Sequence, residues 1–177
     1  MNSPVIEKYT RTAQLLHWLI ALLVVVQFTL AWYADTLPRG EAGQVMAIHK
    51  SVGATILVLA IIRILWRFSH RPPAFPRTMP GWEAKLSAVT HWALYFLIFA
   101  MPISGWMMSS AAGRDVAWFG LFKLPRVIGE NEAAGDFFHE AHEIMAIVLL
   151  VVALLHIVGA IWHAALKKDG IMQRMLP

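Results

Sequence analysis

Four long apolar segments make up most of this chain of 177 residues. Each has about the 20 residues that an α-helix needs to cross a bilayer, and none shows the alternation typical of a strand. Hydrophobic residues form 58% of the chain and charged residues 15%, a balance too apolar for a soluble globular domain. We therefore predict an all-α fold, a single integral membrane four-helix bundle over residues 1–177, with helices at about 13–33, 47–68, 90–111 and 138–165.

The first apolar segment follows Lys8 and Arg11, an arrangement also found in secretory signal peptides. It is long enough to span the membrane, it contains His17, and no convincing small-residue cleavage site follows it. We therefore expect this segment to stay in the protein as a membrane anchor.

Basic residues predict the orientation of the bundle, because cytoplasmic connections are enriched in lysine and arginine. The side with both termini and the second connection has ten basic residues, and the other side has five. We therefore expect both termini in the cytoplasm and attribute the pI of about 9.7 to membrane topology, not to nucleic-acid binding. The ten are Lys8, Arg11, Arg63, Arg67, Arg71, Arg77, Lys85, Lys167, Lys168 and Arg174.

The chain has no cysteine. This excludes disulfides, cysteine-ligated iron–sulfur clusters, covalent c-type haem and thiolate catalysis. Histidine is the residue left for chemistry inside the bundle, and four histidines occur in the stretch HEAHEIMAIVLLVVALLHIVGAIWH at 139–163.

Two of these histidines lie on one face of the fourth helix at different depths. His142 and His156 are 14 residues apart, so they differ by about 40° in direction and by about 21 Å along the axis. Helix one enters from the cytoplasmic side with His17, and helix two enters from the outer side with His49. The predicted pairs are His17 with His156 near the cytoplasm and His49 with His142 near the outer surface.

Each predicted pair matches the two axial ligands of a b-type haem, so we predict two haem b groups with six-coordinate iron and outer-sphere electron exchange. A porphyrin lies against the helix beside its ligand, so the residue one turn further on has to be small. That residue is Ala21 after His17, Gly53 after His49, Ala146 after His142 and Ala160 after His156.

Arg63 and Arg67 are predicted to bind the propionates of the cytoplasmic-side haem. Arg63 follows His49 by 14 residues and so lies on the same face of helix two, at the depth of the cytoplasmic pair. An arginine inside the membrane costs at least about 2.5–3.5 kcal/mol, and a carboxylate partner would offset this cost. An arginine that snorkels to the interface is the alternative.

Other interpretations of the histidines stay open. A single intramembrane histidine commonly bonds to a neighbouring helix, and His91 could replace His17 as a ligand although bulky Tyr95 follows it by one turn. A histidine-lined metal or proton transporter is a different class of function, but HEAHE is not the HExxH motif. His70 is expected in a solvated loop, and His139 at the outer mouth or as a helix cap.

The sequence resembles the bacterial cytochrome b561 family, small four-helix dihaem cytochromes of the inner membrane. The matching pieces cover nearly the whole chain in order: LLHWLIALLVV, IHKSVGATILVLAIIRILWR, THWALYFLIFAMPISGWMMSS and HEAHEIMAIVLLVVALLHIVGAIWHAALKKDGIMQRMLP. The family has one ligand histidine on each of helices one and two and two on helix four. This pattern falls on His17, His49, His142 and His156.

Within that family the chain is similar to the superoxide oxidase member. This similarity implies that it oxidises periplasmic superoxide to oxygen and reduces ubiquinone near the cytoplasm. Positive charge on a superoxide route would come from Lys50 and Arg114, although the same outer surface also carries acidic residues and both cations suit simple interfacial anchoring. The quinone would be bound by His163, Gln14 and Arg11.

Two further functions would use the same haems. One is a quinol-oxidising cytochrome that feeds a periplasmic acceptor, and the other is a membrane anchor for a dehydrogenase subunit. Both differ from the superoxide reaction in the direction or the partner of electron transfer.

Overall fold

The computed structural model describes residues 7–76 and 79–176 of the chain. Its four main helices are long and apolar enough to cross a membrane, which confirms the predicted four-helix membrane bundle. They are α1 (Arg11–Asp35), α2 (Arg39–Ser69), α3 (Gly81–Ala111) and α4 (Glu132–Trp162). Arg77, one of the ten basic residues in the orientation argument, lies outside the described residues.

All four helices begin earlier than their apolar segments predict, α1 only slightly, at residue 11, and the others by more than a turn: α2 at residue 39, α3 at 81 and α4 at 132. A helix can continue beyond the hydrocarbon region because its backbone hydrogen bonds are internal, so hydropathy alone places its start too late. Local capping residues give the starts instead. Pro38 and Pro80 precede α2 and α3, and the Asn131 side chain accepts a 2.9 Å hydrogen bond from Ala134 N–H at the start of α4.

The interior of the bundle contains buried serines beside apolar side chains such as Leu16 and Leu97, and large apolar side chains also cover its outside. The largest fully buried side chains are Ser51, Ser109 and Ser110, whereas Leu22 and Leu155 are exposed. The apolar outside suits lipid as the surrounding solvent, and the small buried residues let transmembrane helices approach closely. The most extensive helix contacts are α1 with α2 and α3 with α4.

A small β-hairpin, absent from the sequence prediction, follows α3. Strand β1 (Val116–Trp118) pairs antiparallel with β2 (Phe122–Leu124), with Ala117 opposite Lys123. The turn between them has positive φ at Phe119 (45°) and Gly120 (74°). Positive φ at two successive turn residues normally comes from Asn-Gly or Asp-Gly, so Phe-Gly gave no recognisable signal.

The hairpin docks on α2 through two hydroxyl side chains. Ser51 Oγ lies 3.0 Å from the Ala117 carbonyl and accepts a 3.0 Å hydrogen bond from Phe119 N–H. One turn further along α2, Thr55 Oγ1 accepts a 3.0 Å hydrogen bond from the Trp118 indole. The hairpin therefore covers α2 beside His49. We call this end of the bundle the hairpin end.

The chain after α4 turns back against the start of α1. A π-helical turn (His163–Lys167) is followed by positive φ at Lys168 (52°) and Gly170 (80°). A short 3₁₀ helix (Met172–Met175) then runs beside α1. The segment before α1 and the connection between α2 and α3 both meet this helix, since Tyr9 N–H donates a 3.1 Å hydrogen bond to the Arg174 carbonyl and Arg174 Nη1 donates a 2.6 Å hydrogen bond to the Ala74 carbonyl. We call this the terminal end.

Candidate functional site

Two pairs of histidines face each other inside the bundle, one pair towards each end. At the hairpin end, the rings of His49 on α2 and His142 on α4 have centroids 6.4 Å apart and planes 65° apart. At the terminal end, His17 on α1 and His156 on α4 have centroids 6.1 Å apart and planes 77° apart. The structure thus brings together the residues that helix geometry paired.

Both separations suit one metal ion between two rings. Two imidazoles that bind a metal from opposite sides have centroids about 6 Å apart, because each metal–nitrogen bond is about 2.0–2.1 Å and each centroid lies about 1 Å behind its nitrogen. The measured 6.1 Å and 6.4 Å agree with this spacing. Either pair therefore has room for one axially ligated iron.

His91 on α3 also lies next to His156. Their centroids are 5.2 Å apart, which is shorter than the spacing for a shared metal ion. The Ser87 hydroxyl lies 3.3 Å from His91 Nδ1 and partners the ring within its own helix. The spacing thus favours His17 over His91 as the partner of His156.

Two adjacent residues of α3 hold one edge of the His142 ring. Ser104 Oγ lies 2.9 Å from His142 Nδ1, and a Cβ on Gly105 would lie 3.2 Å from His142 Cε1. Glycine therefore leaves room for the ring, and serine supplies a polar contact. Sequence reasoning missed both residues, because nothing in the string ISGW shows which side of α3 meets α4.

The surroundings of His49 differ from those of His142. His49 Nδ1 is buried and has no hydrogen-bond partner among the described residues, and the same holds for Gln27 Oε1 on α1. The Gln27 Nε2 atom would lie 3.0 Å from a Cβ at Gly53, one turn beyond His49. Buried polar atoms are normally hydrogen-bonded, so these two unpaired atoms beside Gly53 make this place a candidate site for a bound group.

Arginines line the terminal-end histidine pair. Arg63 Nη1 donates a 3.1 Å hydrogen bond to the Ala13 carbonyl, and Nη2 lies 3.4 Å from His17 Nδ1. Arg67 lies over the rings of Trp92 and Tyr95, 5.9 Å and 5.5 Å from their centroids. Both arginines line a cavity of about 200 Å³ that Lys8 and Arg71 also line. This cavity has the charge that carboxylate groups of a ligand would need.

The three residues predicted to bind a quinone have separate surroundings. His163 Nδ1 lies 2.6 Å from Asp169 Oδ2, with both side chains largely buried. Gln14 is buried, and its Nε2 donates hydrogen bonds to the carbonyls of Arg174 and Leu176, both at 3.0 Å. Arg11 is exposed at the start of α1. The partner Asp169 was not predicted, because the chain reversal that brings it back to His163 has no simple sequence signal.

Two predicted cations lie together at the hairpin end. Lys50 is half-buried and close enough to Arg114 for their charges to interact. Neither forms an ion pair in the part of the chain that the structure describes. In contrast, Asp115 binds Lys123 at 2.7 Å and Arg126 at 3.0 Å. The hydrogen bond from Lys123 has the larger effect and that from Arg126 the smaller, and together they hold the pKa of Asp115 below its usual value.

The other two histidines lie at the surface. His70 ends α2 and stacks on Trp66 with centroids 3.9 Å apart. His139 lies 3.7 Å from Glu143 and lines a cavity of about 490 Å³ with Arg114 and acidic residues of the hairpin end. Neither joins a histidine pair.

Comparison with known proteins shows the family of this chain. The family model described as prokaryotic cytochrome b561 matches residues 8–177. The chain belongs to the prokaryotic cytochrome b561 family. The resemblance found in the sequence is thereby confirmed, and the chain is a multi-pass bacterial membrane protein and a b-type cytochrome with an electron-transfer role.

Three relatives match over nearly their full length. Cytochrome b561 homolog 2 of Escherichia coli K12 is 33% identical over 180 residues, 99% of this chain and 93% of that protein. The probable superoxide oxidase CybB of Yersinia pestis is 31% identical over 172 residues, 97% of each chain. Cytochrome b562 of Cereibacter sphaeroides is 30% identical over 177 residues, 95% of this chain and 94% of that protein.

The residues present fit b-type haem. Histidine nitrogen is a usual axial ligand of haem iron, and both pairs have the spacing that two such ligands need. A tetrahedral metal site is not supported, because the described residues contain no group of three or more histidine, aspartate or glutamate side chains that could hold a metal ion. The family and the geometry together therefore favour haem over a zinc site.

Proposed function

We propose that this cytochrome b561 carries electrons across the bacterial inner membrane from superoxide to ubiquinone, with both termini in the cytoplasm. Two superoxide ions would each lose one electron and become two O₂ molecules. Ubiquinone would gain both electrons and two cytoplasmic protons and become ubiquinol. Haem b bound at each histidine pair would supply a one-electron carrier. His49 and His142 would hold one group, and His17 and His156 the other.

The two histidine pairs are the observation on which this proposal rests. Their centroid separations of 6.1 Å and 6.4 Å leave room for one doubly ligated iron in each pair. The pairs share α4, where their members are 14 residues apart, or about 21 Å along the helix. Two one-electron carriers at different depths would provide a route across the bilayer.

Lys50 and Arg114 would attract superoxide to the hairpin end. Superoxide is an anion, and like-charged side chains held together raise the local concentration of an anion. Lys50 directly follows His49 in the sequence. The nearby cations Lys123 and Arg126 are paired with Asp115 and Glu130, whereas Lys50 and Arg114 form no ion pair among the described residues.

His163 would bind a quinone carbonyl at the terminal end and donate a proton to it. Asp169 accepts from Nδ1–H, so Nε2 would face the quinone, and the doubly protonated ring would carry the Nε2–H that donates to it. Arg11 would contribute charge at the entrance. Both amide hydrogens of Gln14 already bond to the C-terminal segment, so Gln14 would support this site indirectly by holding segment 172–176.

Arg63 and Arg67 would bind haem propionates.

Pyridine haemochrome analysis of the purified protein tests the haem assignment, and two b-type haems per chain are expected. Fewer than two would contradict it. Enzymatically generated superoxide should then reduce the haems faster than it dismutates, and added ubiquinone should reoxidise them. Superoxide dismutase should abolish the reduction. If only ubiquinol reduces the haems at a useful rate, the quinol-oxidising function replaces this one.

The variants Lys50→Gln and Arg114→Gln test the superoxide route. Each should slow haem reduction by superoxide and weaken its dependence on ionic strength, because attraction between separated charges is screened by salt. Arg39→Gln, at the same end of the bundle but without a proposed role, is the matched control. Equal rates in all three variants would remove Lys50 and Arg114 from the route.

A further inference from the structure

We infer that Ser104 is a positioning residue for His142 and holds the hairpin-end haem at a lower reduction potential than the terminal-end haem. The inference rests on the proposed haem ligation. The two histidine pairs have different neighbours: a hydroxyl group faces His142, and a guanidinium group faces His17.

The direction of the Ser104–His142 hydrogen bond follows from counting hydrogens. Ser104 Oγ donates a 2.8 Å hydrogen bond to the Met101 carbonyl, and a hydroxyl has only one hydrogen to donate. At the 2.9 Å contact with His142 Nδ1, Ser104 must therefore accept. The hydrogen of a neutral His142 thus lies on Nδ1, and Nε2 keeps the lone pair that can bind iron.

An acceptor at Nδ1 makes an imidazole a stronger electron donor to its metal. Partners of this kind fix the tautomer, orient the ring and raise ligand basicity. A more basic axial ligand stabilises the oxidised iron, which carries one more positive charge, relative to the reduced iron. Hydrogen bonding near the ligands is one of the means by which proteins set haem potentials. Ser104 therefore lowers the potential at the hairpin end.

Arg63 has the opposite effect at the terminal end. Its Nη2 lies 3.4 Å from His17 Nδ1, and a guanidinium group has donors but no acceptor. It cannot strengthen His17 as an electron donor. Its positive charge would stay next to the haem if Nη2 moved from His17 to a propionate, and it disfavours the additional charge of oxidised iron, which raises the potential. Electron transfer from the hairpin end to the terminal end is then energetically favourable.

Potentiometric titration of the purified holoprotein, followed through the haem absorption bands, tests this order. Two midpoint potentials are expected. Ser104→Ala should raise the lower potential and leave the higher one unchanged, with both haems retained. Ser104→Thr keeps the hydroxyl and should behave like the parent protein. Ser109→Ala is the matched control, because Ser109 is a buried serine of the same helix whose hydroxyl has no hydrogen-bond partner in the described chain.

Removing the hairpin-end haem with His49→Ala assigns the potentials to the sites, and the higher potential should be the one that remains. If the lower one remains, the proposed order is overturned. An unchanged lower potential in Ser104→Ala, or an equal shift in Ser109→Ala, would also overturn the inference. If Ser104→Ala loses a haem, Ser104→Cys takes its place as the test variant. A thiol is a weaker acceptor than a hydroxyl, so Ser104→Cys should raise the lower potential by a smaller amount. An unchanged lower potential in Ser104→Cys would overturn the inference. A parent protein with fewer than two haems contradicts the proposed function instead.

Discussion

Arg63 on α2 and His17 on α1 are in direct contact inside the bundle, with Nη2 and Nδ1 separated by 3.4 Å. Because the guanidinium group only donates, His17 Nδ1 is the acceptor and its hydrogen lies on Nε2. Binding of iron through Nε2 requires the hydrogen to move to Nδ1. The contact would then be lost and Nη2 would be free to bind a haem propionate, while the hydrogen bond to the Ala13 carbonyl would keep the arginine in place.

Replacement of Arg63 by glutamine should therefore affect the terminal-end haem alone. We expect weaker retention of this haem and a lower value of the higher midpoint potential, because a positive charge and a propionate partner are both lost. Haem content and potentiometric titration measure the two effects. Arg71→Gln, which changes an exposed arginine of the same cavity, is the control. Equal haem content and equal midpoint potentials in the two variants would show that Arg63 does not bind or tune the terminal-end haem.

His17→Ala and His91→Ala should differ sharply. His17 lies 6.1 Å from His156 and His91 lies 5.2 Å from it, centroid to centroid. Only the first spacing suits a shared iron. We expect His17→Ala to lose one haem and His91→Ala to keep two, as measured by pyridine haemochrome. The reverse result would make His91 the ligand.

Gly105→Ala should weaken haem binding at the hairpin end. The added Cβ would lie 3.2 Å from His142 Cε1, which forces the ring to move. Overpacking of this kind costs about 1–3 kcal/mol, equivalent to about 5–150-fold in haem affinity. Gly159→Ala in α4 is the control, because its Cβ would have no atom within 4 Å. Retention of both haems during dilution is the measurement, and equal retention in the two variants would contradict the prediction.

His163→Ala and Asp169→Asn should both slow ubiquinone reduction while two haems remain. The alanine variant removes the proton donor, and a general acid contributes about 10²–10⁴-fold to a rate. The asparagine variant has no negative charge to stabilise the doubly protonated ring of His163, the form that would donate a proton from Nε2. Reoxidation of reduced haem by ubiquinone is the measurement. Lys168→Gln, at an exposed neighbouring position, is the control, and normal rates in both test variants would exclude His163 from the quinone site.

Low pH should loosen the hairpin region through Asp115. Its pKa is lowered by hydrogen bonds from Lys123 and Arg126, so its stabilising effect is complete above the ordinary carboxyl pKa of about 3.9. The effect is lost as pH falls through the lowered value. Hydrogen exchange over residues 114–127, corrected for intrinsic rates, should show constant protection from neutral pH to about pH 5 and a decrease below about pH 4.

Asp115→Asn should show reduced hydrogen-exchange protection over residues 114–127 at all of these pH values. Its protection should not fall further through this carboxyl group at low pH, because the variant has no carboxylate to protonate. Asp136→Asn, an exposed acid of the same end, provides the comparison. A parent protein whose protection over this segment is the same at every pH would show that the ion pairs of Asp115 do not hold the hairpin.

Features that depend on one helix at a time could be predicted from the sequence. Four apolar segments define four spans, because a bilayer of fixed thickness requires a helix of fixed length. The separation of His142 and His156 follows from the rise and turn of an α-helix. Alternating insertion then places His17 and His49 at matching depths, so the pairs seen in the structure follow from depth alone. Helix ends were less predictable, because they depend on capping outside the membrane.

Contacts between helices were decided only by the tertiary structure. The rotation of α3 relative to α4 places Ser104 and Gly105 against His142, and neither residue differs in the sequence from the other small residues of α3. The reversal at Lys168 and Gly170 brings Asp169 to His163, and the Phe-Gly turn places the hairpin on Ser51 and Thr55. Sequence periodicity gives the depth of a side chain along its own helix, but the neighbour it meets depends on how the helices pack together.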